Sequence, residues 1–221
     1  MRRVLFTTIS LLALTATTVL AADLPRRGPV YKAPVPYAAG YNWTGAYAGI
    51  NGGEGFGNSD WGGFGSNVNA GGGLIGVTLG YNWQAIGSPW IFGLEGDIDW
   101  TNMRGSFANI ACPFGCETRN NWLGTVRGRL GYAVTDRTMG YITGGLAVGD
   151  VHATNTGVGS VSDTKVGWTI GGGVETALAA NWTAKLEYLY VDLGSVSCAT
   201  CGVPSADFHS HIVRAGLNYR F

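Results

Sequence analysis

Short segments in which apolar and polar residues alternate recur along this chain, and this pattern most constrains its fold. In the last segment Val213, Leu217 and Phe221 fall on one face of an extended chain, whereas Arg214 and Asn218 fall on the other. Alternation with a period of two predicts a β-strand with two different faces. Similar segments lie at 90–100, 122–132 and 182–190, with weaker versions at 73–84, 165–178, 43–56 and 139–151.

The eight alternating segments predict eight strands, each long enough for the ~9–11 residues with which a tilted strand crosses a bilayer. Short links at 85–89, 134–138 and 179–181 alternate with long Gly/Ser/Asn-rich links at 58–70, 105–119, 152–164 and 194–208. Outer-membrane barrels have this arrangement, with short periplasmic turns and longer extracellular loops. We therefore predict an all-β fold, an eight-stranded antiparallel transmembrane β-barrel with short periplasmic turns and four longer extracellular loops.

A soluble β-sandwich or lipocalin-like barrel also alternates, and composition decides between the two classes. Charged residues make up 13% of the chain, about half of the ~25% that is usual in soluble domains. The apolar faces often begin or end with Trp or Tyr, as in the aromatic girdles of membrane barrels. No apolar stretch after the N-terminal leader approaches the length of a transmembrane helix. We therefore favour a membrane barrel, and the balanced net charge argues against a nucleic-acid partner.

The N-terminus has the features of a secretory signal peptide. Arg2 and Arg3 precede an apolar stretch at 4–19, and a small residue, Ala21, fits a cleavage site. The stretch is shorter than the ~20 residues of a spanning helix, which disfavours a membrane anchor. We predict that residues 1–21 are a signal peptide that is removed after secretion.

Segment 22–42 differs in composition from the rest of the mature chain. It is rich in proline, which disfavours strands and helices and predicts an extended periplasmic lead-in. The barrel is then predicted to span 43–221. The prolines of the lead-in are Pro25, Pro29, Pro34 and Pro36.

Several sequence blocks resemble the outer-membrane immunogenic protein family of alphaproteobacteria, whose members are often labelled porins. They are ADLPRR at 22–27, NWTGAYAGINGGEGFG at 42–57, GLEGDID at 93–99, TVRGRLGYA at 125–133, KLEYLYVDLG at 185–194 and RAGLNYRF at 214–221. The resemblance implies an OmpA-like eight-stranded barrel in the outer membrane of a Gram-negative cell. In some members a mature N-terminus beginning Ala-Asp is linked to the cell wall. This implies attachment through Ala22 and Asp23, with a plain periplasmic tail as the alternative.

The polar faces of the predicted strands carry charges of both signs. Inside a barrel such charges must pair, because an isolated charge in a medium of low dielectric constant is costly. An eight-stranded interior is just wide enough for side chains to fill it, so we favour a salt-bridged core over a charge-lined pore. The predicted lumen network consists of the acids Glu95, Asp97, Asp99, Glu175 and Glu187 and the bases Arg127, Arg129, Lys185, Arg214 and Arg220.

The C-terminus resembles a recognition signal for the barrel-assembly machinery. Phe221 ends the chain, and Tyr219 and Leu217 precede it on the same strand face. An aromatic anchor at the end of the last strand is the plainer interpretation, and it is compatible with the assembly role.

The four cysteines form two close pairs in predicted extracellular loops, Cys112 with Cys116 and Cys198 with Cys201. An even number of cysteines in an oxidising compartment indicates disulfides. Pairing within each loop is the simplest connectivity, and pairing between loops is the alternative. A zinc site is less favoured because no histidine is near in sequence, and a thioredoxin-like role lacks its βαβ setting.

Histidines near the last strand form the only grouping that resembles an enzyme site. His209 and His211 flank Ser210, with His152 and Asp207 as further candidates. Neighbouring residues of a strand point to opposite faces, which separates Ser210 from both histidines. We therefore predict no catalytic site.

Taken together, the sequence predicts a structural outer-membrane barrel with exposed antigenic loops, and it leaves open whether the mature N-terminus tethers the membrane to the cell wall or is a plain periplasmic tail. The alternative is a narrow porin for small solutes or ions, and a lesser alternative is a surface protein whose outer histidines bind haem or a metal. The predicted partners are outer-membrane lipid and lipopolysaccharide, the barrel-assembly machinery and, as a candidate, peptidoglycan. No cofactor is predicted.

Overall fold

The chain forms a closed barrel of antiparallel strands. The computed structural model describes residues 40–61, 66–109, 112–155, 159–198 and 203–221. Each strand pairs with its neighbour in sequence, and the last pairs with the first, so the sheet has no free edge. The predicted eight-stranded barrel is confirmed. The strands are β1 (Gly45–Trp61), β2 (Ser66–Gln84), β3 (Trp90–Asn109), β4 (Cys112–Ala133), β5 (Thr138–Asn155), β6 (Gly159–Ala177), β7 (Trp182–Cys198) and β8 (Val203–Arg220).

The strands are staggered, and the stagger sets their tilt. Stepping from Tyr47 through the paired residues of all eight strands returns to β1 at Gly57, ten residues further along. Closing a barrel requires such a shift in register, which tilts the strands by about 35–45° from the axis. The interior of the barrel is therefore narrow, and side chains from opposite strands can meet inside it.

The two ends of the barrel differ. Short links at 85–89, 134–137 and 178–181 lie at one end, here called the turn end, together with the C-terminus. The opposite end, here called the hairpin end, carries the extended parts of the strands. The three short turns agree with the sequence prediction. In barrels of this kind the short turns face the periplasm.

Apolar side chains cover the outside of the barrel. Leu79 on β2 is 71% exposed and Ile142 on β5 is 63% exposed. A belt of this kind is unfavourable in water and matches the hydrocarbon layer of a bilayer. Within the described residues no helix is long and apolar enough to cross a membrane. Other outward apolar residues are Ile50, Ile75, Val77, Phe92, Leu94, Ile98, Val126, Leu146, Val166, Ile170, Val174, Leu186, Val213 and Leu217.

Aromatic rings mark the two borders of this belt. The pairs at the turn end are Trp90–Tyr132 and Trp182–Tyr219, with ring centroids 5.1 and 5.2 Å apart, and at the hairpin end Trp168–Tyr190, 5.4 Å apart. Trp90 and Trp100 lie ten residues apart on β3. At about 3.3 Å per residue and a tilt near 40° this spans ~25 Å, the height of the apolar band of an outer-membrane barrel.

The segments expected to be long loops are for the most part paired strands. The strands have 17 to 22 residues, about twice the ~9–11 that cross a bilayer. Beyond Trp100 the outward residues of β3 are exposed and polar: Asn102, Arg104 and Ser106. The Gly/Ser/Asn composition that suggested loops reflects contact with water, and the backbone continues as hairpins above the membrane. The connections themselves, at 62–65, 110–111, 156–158 and 199–202, lie outside the described residues.

The chain enters the barrel at the turn end through residues 40–44. The Tyr41 amide donates to the carbonyl of Asp136 at 2.8 Å, and the Trp43 amide donates to Oε1 of Gln84 at 3.0 Å. β1 begins at Gly45 rather than at the predicted residue 43, and Gly45 has φ 145°, a conformation that favours glycine. Trp43 is therefore not a strand residue, and its side chain is buried. The predicted signal peptide and most of the Pro-rich lead-in lie outside the described residues.

Candidate functional site

The lumen is filled by three layers of side chains, and it is the candidate functional site because any solute crossing the barrel would have to pass through it. A charged layer lies in the middle. Toward the turn end an apolar floor closes the barrel, formed by Trp43, Ile91, Met139 and Tyr141. Toward the hairpin end an apolar cap lies above the charges, formed by Leu74, Leu123, Ala147, Val151, Leu189, Val191, Leu193 and Ile212.

Arg127 on β4 lies at the centre of the charged layer. Its guanidinium Nη2 donates to Glu95 Oε1 at 2.6 Å and its Nη1 to Glu187 Oε1 at 3.0 Å, and it also pairs with Asp97. All four side chains have no exposed surface. One guanidinium thus joins carboxylates from β3 and β7 across the lumen.

Arg214 on β8 forms the second hub of the charged layer. It contacts Asp99 at 2.7 Å, Glu187 at 2.7 Å and Asp97 at 3.0 Å. Asp97 and Glu187 are therefore each shared between two guanidinium groups. Sharing of this kind fixes both arginines, because planar guanidinium groups impose a direction on each hydrogen bond.

The remaining bases extend the charged layer toward the turn end. Lys185 Nζ lies 3.0 Å from Glu95 Oε2, and Arg129 lies 2.7 Å from Glu175 and 3.2 Å from Glu95. The structure therefore brings nine of the ten predicted lumen charges into one connected group. Buried charges need such partners, because removing a charge from water without one is strongly unfavourable.

Arg220 differs from the other nine. Among the described residues it forms no ion pair, and its guanidinium carbon lies 4.5 Å from the centroid of the Tyr41 ring. The sequence assigned it to the network because it follows the alternation of β8. The residue lies at the end of that strand, beside the floor, where the described carboxylates of the charged layer do not reach it.

Tyrosines, threonines and asparagines complete the charged layer, and the sequence analysis did not single them out. Tyr47 Oη donates to Glu95 Oε2 at 2.7 Å, Tyr141 Oη donates to Glu187 Oε1 at 3.1 Å, and Thr125 Oγ1 donates to Asp97 Oδ2 at 2.8 Å. Tyr47 and Tyr141 come from the two strands whose faces glycine and alanine obscure. The available signal was that they share a strand face with the polar residues Asn51 and Thr143.

The apolar cap was also missed by the sequence analysis, which expected a polar lumen throughout. Leu189 and Ile212 have no exposed surface, and Leu123 is 2% exposed. The signal lies in the sequence of β7, where 188–193 reads YLYVDL and the polar face turns apolar. Close-packed methyl groups line most of this part of the lumen, and an apolar lining is unfavourable for an ion.

The other predicted site residues lie outside the lumen. Leu217, Tyr219 and Phe221 are exposed on the outward face at the turn end. The side chains of the cysteine pairs lie outside the described part of the structure, although Cys112, Cys116 and Cys198 are in paired strands. Ala22 and Asp23 also lie outside the described residues. The cell-wall and disulfide assignments therefore stay predictions.

The histidines do not join Ser210. His209 and His211 face outward, where their Nδ1 atoms lie 3.1 and 2.6 Å from the hydroxyls of Tyr190 and Tyr188. Ser210 is buried in the lumen with its hydroxyl 3.7 Å from the sulfur of Met103. A serine nucleophile needs a base within hydrogen-bond distance, and this geometry places the candidate pair on opposite sides of the sheet. Within the described residues no three His, Cys, Asp or Glu side chains form a metal-binding group.

His152 contacts neither the outward pair His209 and His211 nor the buried Ser210. Its Nε2 lies 2.6 Å from Asp150 Oδ2 at the hairpin end of β5. The candidate Asp207 has a backbone in β8, and its side chain lies outside the described part.

An apolar belt between two aromatic girdles, a closed sheet and a filled lumen define an outer-membrane β-barrel. The chain belongs to the family described as outer membrane protein beta-barrel domain, whose model matches residues 9–221. It is 39% identical to a 31 kDa outer-membrane immunogenic protein of Brucella melitensis biotype 1, over 96% of this chain and 97% of that protein. It is also 33% identical to a 22 kDa outer membrane protein of Rhizobium leguminosarum bv. viciae, over 86% of this chain and 82% of that protein.

Solved structures share the fold at low sequence identity. The outer membrane protein OprG of Pseudomonas aeruginosa superposes with a TM-score of 0.51 at 12% identity, over 81% of this chain and 97% of that chain. Neisserial surface protein A superposes with a TM-score of 0.50 at 16% identity, over 80% and 98%. The family, the Brucella and Rhizobium relatives and the apolar belt identify the protein as an integral protein of the bacterial outer membrane.

Proposed function

We propose that this protein is a closed structural barrel that holds its hairpins at the cell surface and passes no solute. The observation that carries the proposal is the arrangement of the lumen, in which a layer of nine charged side chains joined by ion pairs lies between two apolar layers. Ions need a continuous polar path or water, and the cap and the floor interrupt such a path on either side of the charges. The narrow-porin alternative requires that these layers move apart.

Swelling of proteoliposomes in isotonic solutions of small sugars tests this proposal. Vesicles that contain the purified barrel should swell no faster than protein-free vesicles, whereas vesicles with a general porin should swell quickly. The barrel must first be shown to be folded, by its different migration in detergent gels before and after boiling. Swelling that rises with the amount of folded barrel would overturn the closed-barrel proposal.

The surface role follows from the hairpins above the membrane. β3 and β4 continue past Trp100 and Trp122 as a paired extension with exposed charged residues such as Arg104 and Arg119. The Brucella relatives carry the words outer-membrane immunogenic protein in their names. We propose by analogy that these hairpins are the main antigenic surface here.

The cell-wall link is supported by where the chain enters the barrel. Residues 40–44 lie at the turn end of the barrel, the end that faces the periplasm in barrels of this kind. A linkage through Ala22 or Asp23 could therefore reach the wall. Mass spectrometry of purified wall fragments should detect a peptide that begins at Ala22 and is joined to wall material. Detection of a free Ala22 amine alone would remove the tether from the proposal.

A further inference from the structure

An apolar groove with a volume of about 600 Å³ crosses the outer surface of the barrel, mainly over β3 to β6. Its floor is formed by Gly128 on β4 and Gly144 on β5, which are direct partners in the sheet. Leu94, Ile142 and Ile170 are among the apolar residues that wall it. Because the two glycines carry no side chain, the surface is set back between these walls. The groove is therefore a recess in the apolar belt, and its shape suits a slender apolar chain.

The groove lies at a depth that the acyl chains of the outer leaflet reach. Leu94 is six residues from Trp100 along β3, which is ~15 Å of depth at about 3.3 Å per residue and a tilt near 40°. The hydrocarbon core of a bilayer is ~30 Å thick, so the chains of one leaflet span about half of that. A chain that starts near Trp100, at the hairpin-end border, can therefore end in the groove.

Two arginines stand opposite each other above this part of the barrel. Arg104 on β3 is the direct partner of Arg119 on β4, and both are exposed. Directly opposite residues share one face of the sheet, where like charges repel. Arg119 lies three residues beyond Trp122 on β4, about 8 Å farther from the membrane centre. The polar headgroups add roughly 5–8 Å to each side of a bilayer, so the two guanidinium groups lie at headgroup level.

The neighbouring carboxylates leave part of this positive charge unmatched. Glu117 accepts a hydrogen bond from Nε of Arg119, which leaves the Nη atoms of that guanidinium for another acceptor. Asp150 Oδ2 lies 2.6 Å from Nε2 of His152, on the next strand. Among the described residues, Arg104 forms no ion pair of its own. An anion between the two guanidinium groups would relieve their repulsion.

The distribution of charge indicates which partner fits this face. The outward charged residues described on β1 and β7 are acidic, Glu54 and Asp192, so the arginine pair distinguishes β3 and β4. Guanidinium forks match the oxygens of a phosphate. A second copy of the chain fits less well, because a twofold axis along the membrane normal would place identical residues against each other. Such a dimer would bring two arginine pairs together.

We propose that this face of the barrel binds a phosphorylated lipid of the outer leaflet. Its phosphate lies between Arg104 and Arg119, and one acyl chain ends in the groove above Gly128 and Gly144. Lipopolysaccharide, a partner predicted from the sequence, is a lipid of this kind, and the structure supplies the place where it binds. The proposal does not depend on a closed lumen, because the arginines and the groove are on the outside of the barrel.

Native mass spectrometry of the mature chain, folded in detergent micelles, tests the proposal by counting the lipid molecules that each barrel retains. Titration with diphosphorylated lipid A should give one retained molecule per barrel. Lipid A without its phosphates should bind at least 10-fold more weakly, and so should diphosphorylated lipid A to the double variant Arg104→Gln, Arg119→Gln. Gly128→Leu should weaken binding about 3-fold or more by filling the groove. An added Cβ at Gly128 meets only the Gly144 carbonyl oxygen, at 3.9 Å, so this variant should fold.

Two matched variants serve as controls and should leave binding unchanged. Arg137→Gln removes an exposed arginine from the turn between β4 and β5, and it would weaken binding if the lipid came from the periplasmic leaflet. Gly52→Leu adds the same side chain on β1, where an added Cβ lies 3.5 Å from the Leu74 carbonyl oxygen. Inorganic phosphate at the concentration of the lipid should not displace it.

Any of several results would overturn the proposal. These are no retained lipid A, equal binding of the form without phosphates, wild-type binding by the double arginine variant or by Gly128→Leu, and equal weakening by either control. Displacement of the lipid by equimolar inorganic phosphate would show a site for the free ion instead. A barrel dimer that retains no lipid would show that a second copy covers this face.

Discussion

The charged layer and the apolar cap fill the same narrow lumen by different means. In the charged layer, Arg127 and Arg214 hold carboxylates from several strands in fixed directions. In the cap, Leu123, Leu189 and Ile212 fill space without directional contacts. The charged layer specifies which strands face each other, because each guanidinium needs its own partners. The cap needs only the right volume, and neighbouring side chains can relax when that volume changes.

Removing a hub of the charged layer should have the largest effect. Arg127→Met leaves Glu95, Asp97 and Glu187 without their shared cation in a buried site. Breaking a buried ion pair in this way typically costs about 3–5 kcal/mol. Urea titration of the folded barrel in lipid vesicles, read from folded and unfolded gel bands, measures the loss.

Arg137→Met is the control for this change, because it removes an arginine that is exposed in a turn. Its midpoint in urea should match that of the wild type. If Arg127→Met were as stable as Arg137→Met, the ion pairs of the charged layer would not be needed for the stability of the barrel.

Removing volume from the cap should have a smaller effect. Leu189→Ala should cost roughly 2 kcal/mol, the low end for a buried leucine, because the methyl groups around it can partly close the cavity. Leu186→Ala on the same strand is the matched control, since Leu186 is 61% exposed to lipid and lipid chains can fill the gap. The same urea titration compares the two. Equal losses would contradict a close-packed cap.

The smallest effect is expected above the membrane. Arg119 Nε donates to Glu117 Oε1 at the hairpin end, and this bond holds the pKa of Glu117 below its usual range. A carboxylate with a lowered pKa stabilises the fold above its unfolded pKa, and this contribution is lost as pH falls through the folded pKa. Because the pair is exposed, Glu117→Gln should shift the urea midpoint by no measurable amount at pH 7. A clear shift would show that the hairpins contribute to barrel stability.

The charged layer could be foreseen in part, and the cap could not. Glu95, Asp97 and Arg127 lie in strands with clear alternation, so their luminal side follows from the sequence. Their partners do not follow, because Arg127 on β4 bonds Glu187 on β7, which is 60 residues away in the chain and on a strand that does not adjoin β4. Leu189 falls on the luminal face by the same alternation. The period-two pattern does not predict that this face becomes apolar there, so an apolar layer in the lumen was not expected.

The residue composition also did not predict where the strands end. Gly, Ser and Asn in 105–119 suggested a loop, yet β3 reaches Asn109 and β4 starts at Cys112. The hydrogen bonds between adjacent strands are made by backbone groups, so two strands can stay paired through a segment rich in Gly, Ser and Asn. The position of Trp43 inside the floor, rather than on a strand, depends on the backbone turn before Gly45, which the alternation pattern does not describe.

Electrical recording in a planar bilayer tests the sealed lumen most directly. Folded, heat-modifiable barrel inserted at symmetric salt and held at moderate voltage should give no stable open level above the baseline of protein-free bilayers. A reproducible conductance step with a defined ion selectivity, altered by Asp97→Asn, would contradict the account, because it would show ions passing through the layer that the structure describes as paired and closed.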